Sequence, residues 1–153
     1  MHIDSILKQL GGEPALGEVC RFLRLEVPSY HWIGIYLVQG DELVLSGWSG
    51  DSPTEHVRIP ISRGICGQAV RENRTVNVPD VGADASYLAC FLDTRSELVV
   101  PIRDSNGAIG EIDVDATELS AFDGNDERFL QQVAARLVAT ARAAADSRNG
   151  PSG

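Results

Sequence analysis

The chain has 153 residues, of which 43% are hydrophobic and 23% charged, and its formal net charge is −9. That length and balance suit one globular domain with its own core and are short for two. The acidic balance disfavours nucleic acid and anionic membrane as partners, and no apolar run approaches the roughly 18–20 residues of a membrane span.

The first dozen residues hold one lysine and no apolar stretch, so they do not read as a secretory signal. A reducing, cytoplasmic setting is therefore expected, with Cys20, Cys66 and Cys90 as thiols. There is no Cys-x-x-Cys spacing and there are only three histidines, so the sequence offers no metal-site pattern.

In chain order, Ile3–Leu10 reads as a short helix stopped by Gly11-Gly12. Pro14–Leu25 reads as a second, with Leu16, Val19, Cys20 and Leu23 at helical spacing. Cys20 on that stripe reads as a small core residue. Tyr30–Val38 and Glu42–Trp48 read as a strand pair joined by a turn at Gly40-Asp41. His56–Ile61 is another extended piece, Ile65–Glu72 a helix after Arg63-Gly64, and Thr75–Val78 a short strand ended by Pro79. Gly82–Ala89 reads as loop with a helical turn. Ser96–Arg103 and Ala108–Asp115 are strands around the turn sequence Asp104-Ser105-Asn106-Gly107. A long last helix starts at Asp123, a good N-cap after Phe122, with Phe129, Val133, Leu137 and Ala141 as its stripe. Residues 1–146 form one domain in this reading, and 147–153 a frayed tail. The fold class expected is α+β: a mostly antiparallel sheet with the terminal helices on one face and loops between Ser49 and Glu97 over the other, a natural place for a ligand.

Trp32 and Tyr36 share one strand face with Gly34 between them, while His31, Ile33, Ile35 and Leu37 take the opposite, core-like face. The rings suit a wall around a methyl-sulfur group; the plainer alternative is simple core. Asp113 and Asp115 also share a strand face, where acids are uncommon. The turn at 104–107 folds Glu97 back beside them, but a one-residue slip decides which face Glu97 takes. Three carboxyls on one side cannot all ionise, so one keeps a proton; the alternative is solvated surface acids. Cys66 lies in the first turn of its helix, where the dipole favours a thiolate, and Cys90 lies in the loop before Glu97.

The strings HWIGIYLV, VRIPISRGICGQAV, VNVPDV, RSELVVPIRD and GAIGEIDVDA, in this order, resemble the GAF domain. As a set they resemble one branch of it, the free methionine-(R)-sulfoxide reductases, from about Tyr30 to Leu137. The resemblance implies a GAF-like sheet, reduction of the free amino acid, no bound cofactor and an external thioredoxin-like dithiol as partner. It implies Cys90 as nucleophile, Trp32 and Tyr36 around the substrate methyl, and Glu97, Asp113 and Asp115 as the binding and proton-supplying carboxyls. Three places depart from the branch. Its further cysteine is His56 here, which passes the resolving role to Cys66 or to an outside thiol. The Asp after the nucleophile is Phe91, and its Gly-His pair is Ser86-Tyr87. A GAF module that binds a small molecule without turnover remains the alternative. The Ala-rich stretch from Ala134 to Ala145 leaves a homodimer open in either case.

Overall fold

The computed structural model describes residues 2–85, 87 and 93–149. Its elements are α1 (His2–Gln9), α2 (Gly12–Glu26), β1 (Trp32–Gln39), β2 (Glu42–Ser49), β3 (Arg58–Pro60), α3 (Gly64–Glu72), β4 (Val76–Val78), a 3-10 turn (Val81–Ala83), β5 (Ser96–Asp104), β6 (Gly107–Ala116), α4 (Gly124–Arg136) and α5 (Val138–Asn149). The six strands form one sheet in the order β3-β2-β1-β6-β5-β4, and every neighbouring pair is antiparallel.

Alternation along the strands separates two layers. Ile33, Ile35 and Leu37 of β1, Leu98, Val100 and Ile102 of β5, and Ile112 and Val114 of β6 face the terminal helices. There they meet Leu16, Val19, Cys20 and Leu23 of α2 and Leu130 and Val133 of α4. Helix α2 lies very close to the sheet at Gly47, where a Cβ would run into the α2 backbone at Leu16 and Gly17. The opposite face carries Trp32, Tyr36 and Val99 together with Ile65, Cys66 and Ala69 of α3. Helix α3 is held there by its edges. Arg71 Nη1 donates to the Ile61 carbonyl, and Gly67 has no room for a Cβ beside the same carbonyl. Asn73 closes the helix in the left-handed region, at φ 51°.

Three expectations are adjusted. The last helix is two: at Leu137 the N–H bonds the Ala134 carbonyl at 3.1 Å, three residues back, and the chain restarts as α5. The stripe survives the break, because Val133, Leu137 and Ala141 are all buried. Asp123 does cap α4, in a reciprocal box with Asp126, while the Phe122 ring lies 6.0 Å from that of Tyr30. Helix α5 continues to Asn149, so residues 147–149 are helical. His31 is not core: it precedes β1, is half-buried, and its Nε2 lies 3.5 Å from Asp93. Among the described residues no helix is long and apolar enough to cross a membrane.

Candidate active site

The register of the central strands settles the face taken by Glu97. Glu97 pairs with Asp115 and Val99 with Asp113 across β5–β6; on the other side of β6, Trp32 pairs with Asp115, Gly34 with Asp113 and Tyr36 with Glu111. Directly opposed residues of an antiparallel pair share a face. Glu97, Asp115 and Trp32 therefore form one row across three strands, beneath α3 and its neighbouring loops. A second row is Val99, Asp113 and Gly34, and a third is Pro101, Glu111 and Tyr36. Glu111 is the residue the sequence reading missed. It continues the same two-residue period as Asp113 and Asp115, so the alternation itself was the available signal.

All four acids are buried: Glu97 is 4% exposed, Asp115 1%, and Glu111 and Asp113 0%. Among the described residues no Lys or Arg is buried with them. The oxygens of Glu111, Asp113 and Asp115 meet no donor of fixed protonation. The Glu97 side chain acts on Asp113 and Asp115, and the Cys66 thiol acts on Glu111 and Asp113. Carboxyls gathered this closely out of water cannot all ionise, so the cluster favours protons on some of its members.

Burial is the largest influence on each group. It pushes Glu111 well above the usual carboxylate range, helped by the charges of Asp113 and Asp115 and opposed by the Cys66 thiol. It likewise pushes Asp115 well up, with Asp113 and Asp93 adding to it and Glu97 opposing. Asp113 is raised too, but Glu97, Cys66 and the charge of His56 all pull it back. Asp113 is thus the acid best placed to hold negative charge, while burial favours the protonated forms of Glu111 and Asp115.

Cys66 sits 5% exposed in the first turn of α3. The expectation of a thiolate there is corrected. Burial, and then the charges of Asp113, Glu111 and Glu97, push the thiol well above its ordinary value. The partial positive charge of a helix end, worth about 1 kcal/mol, does not outweigh three carboxyl groups at close range.

The aromatic wall is present on the same face. Trp32 is 1% exposed and its ring lies over Gly34 and against Gly50, at each of which a Cβ would overlap it. The room left by Gly34 is therefore filled by the Trp32 ring itself. Trp32 also stacks on Trp48, with ring centroids 6.4 Å apart. Tyr36 donates its hydroxyl to the His56 carbonyl at 2.8 Å, which holds the loop bearing His56 against the sheet. Ser96 donates its hydroxyl to the Glu118 carbonyl at 2.6 Å. Cys90, Phe91 and Ser86 lie outside the described residues, and so does the part of the expected pocket that they would form. On either side of that stretch the chain reaches this face: Tyr87 packs against its apolar residues, and the Asp93 charge acts on Asp115.

The GAF domain family model matches residues 13–141. The free methionine-R-sulfoxide reductase of Escherichia coli is 38% identical over 107 residues, which cover 70% of this chain and 64% of that protein; the chain therefore spans somewhat under two-thirds of that relative's length. Among solved structures, the free methionine-R-sulfoxide reductase of Neisseria meningitidis in complex with its substrate superposes with a TM-score of 0.84 at 35% identity, covering 93% of this chain and 85% of that one. A type II free methionine-R-sulfoxide reductase from Thermoplasma acidophilum gives 0.81 at 34% identity, covering 92% and 94%. With residues 13–141 matched by the family model, this chain belongs to the GAF domain family.

Proposed function

We propose that the chain reduces free methionine-(R)-sulfoxide to methionine by thiol chemistry. The observation that carries this is the buried row of Glu97, Asp115 and Trp32 with Asp113 beside it, which sets acids and an indole on one face with no buried Lys or Arg among the described residues. An ionised acid there favours a ligand with an ammonium group, and the free amino acid has one where a peptide-bound residue does not. The aromatic wall of Trp32 and Tyr36 suits the methyl-sulfur end. The named relatives support the same substrate.

In this reading Cys90 attacks the sulfoxide sulfur as its thiolate. The S–O bond breaks, the oxygen leaves onto the cysteine sulfur, and a carboxyl of the cluster protonates it as it departs. The substrate sulfur gains two electrons, and Cys90 becomes a sulfenic acid. Cys66 then condenses with it, forming a disulfide and releasing water, and an external thioredoxin-like dithiol reduces that disulfide. The protonated acids Asp115 and Glu111 and the thiol form of Cys66 fit those steps: the proton donors are loaded, and the second thiol waits unreacted. No bound cofactor enters the cycle.

The test is an NADPH-coupled thioredoxin assay with both epimers of the sulfoxide, free and peptide-bound. Turnover of the free R epimer alone is expected. Binding of that epimer without release of methionine would make the chain a small-molecule-binding module instead.

A further inference from the structure

The acids and thiol beneath α3 have a second capability that the sulfoxide chemistry does not use. Cys66 Sγ, a Glu97 carboxylate oxygen and an Asp113 carboxylate oxygen all lie within 4.8 Å of one another, and all three residues are buried. They come from three elements, α3, β5 and β6, so no spacing along the sequence announces them. A fourth group acts on the same sulfur: Glu111 is fully buried, influences the Cys66 thiol, and neither of its oxygens has a hydrogen-bond partner. With no buried Lys or Arg among the described residues, the cluster has no permanent positive charge of the protein's own.

We infer that Cys66, Glu97 and Asp113, with Glu111 at the sulfur, form a binding site for a divalent zinc-like cation. The donor set selects the metal. Magnesium and calcium take oxygen ligands alone and gain little from a thiolate. One sulfur with two or three carboxylate oxygens suits zinc, whose bonds run about 2.3 Å to sulfur and 2.0–2.2 Å to oxygen. Drawing the three donors onto such an ion requires them to close by about 1 Å, which side-chain rotation supplies without moving the strands. Binding exchanges the proton of the Cys66 thiol, and any proton on a coordinating carboxyl, for bonds to the metal and releases them to solvent; no oxidation or reduction occurs. If this face also holds the sulfoxide, as proposed above, metal and substrate exclude each other and the ion is an inhibitor. The exclusion rests on that reading, whereas the metal site does not.

The test uses the full chain, reduced and freed of added thiol, titrated anaerobically with cobalt(II) as a spectroscopic stand-in for zinc. A sulfur-to-cobalt charge-transfer band in the near ultraviolet is expected, bleached by zinc at one equivalent. Cys66→Ser removes the band, while Cys90→Ser and Cys20→Ala keep it. Asp113→Asn weakens zinc binding at least ~10-fold, read by competition with a chromophoric chelator, and this arm decides the question if Cys66→Ser does not fold. The inference is overturned if cobalt binds without the charge-transfer band, if the band survives in Cys66→Ser, or if zinc affinity is unchanged in Asp113→Asn. None of these readouts needs sulfoxide turnover, so an inactive protein that binds zinc in this way would sink the reductase reading and leave the metal site standing.

Discussion

Glu97 and Asp115 stand directly opposite each other on the β5–β6 ladder, with both carboxyls turned under α3. Burial, with the charge of Asp113, pushes Asp115 well above the usual carboxylate range, which suits it to carry a transferable proton. Asp115→Asn keeps the shape and removes the transferable proton. We expect kcat/KM for the free R-sulfoxide to fall by about 10²-fold or more, the usual yield of a positioned proton donor. An unchanged rate in the coupled assay would return Asp115 to a purely structural role.

The two thiols should separate by step. Cys90→Ser is expected to abolish methionine formation with either thioredoxin or dithiothreitol. Cys66→Ser should form one equivalent of methionine in a single-turnover experiment and then fail to cycle with thioredoxin. Ordinary cycling by Cys66→Ser would place the resolving thiol elsewhere, and product formation by Cys90→Ser would remove Cys90 as nucleophile.

Stability should fall as pH rises through neutrality. Glu111 and Asp115 are pushed well above their ordinary values in the folded chain, whereas in the unfolded chain they titrate near about 4. Between those limits the folded state holds protons that the unfolded state has released. More protons bound to the native state means that the unfolding free energy decreases with pH. These groups thus contribute in full below the unfolded value, and the contribution is lost on rising through the folded ones. Urea unfolding of the metal-free protein should show a lower midpoint at about pH 8.5 than at about pH 6, and Glu111→Gln should flatten that slope. A midpoint that is level or rising over this interval would show that these acids are ionised in the native state.

The Trp32 ring depends on the bare backbone beneath it. Gly34→Ala places a methyl group where the indole lies, and overpacking of this kind costs about 1–3 kcal/mol. We expect a lower melting temperature, a shifted tryptophan emission and a raised KM for the sulfoxide. Wild-type emission and KM in this variant would mean that the ring has another resting place.

Much of this was legible because strands and amphipathic helices write their periods into the sequence. The hairpin at Asp104–Gly107 and the alternating acids of β6 could be read directly. The register could not, because β5 slips by a residue at Ile102–Arg103, and such a slip leaves no mark on the apolar pattern. Glu111 escaped for a related reason: a glutamate four residues after a turn ordinarily faces water, and only the seating of α3 buries it. The state of Cys66 was misjudged because a helix end is visible in the sequence, while three acids gathered from two distant strands are not. The break at Leu137 was hidden because an alanine-rich pattern continues smoothly on both sides of it.

The neighbours in the middle of the sheet, β1 and β6, come from parts of the chain with 67 residues between them, 40 to 106. During synthesis β1 and β2 can zip together early, yet the strand that brings Asp113 and Asp115 to Gly34 and Trp32 leaves the ribosome late. Until then an open edge and an unroofed indole are available to any passing chaperone. A truncation before residue 116 should therefore yield an aggregating fragment, since the central seam has no local substitute.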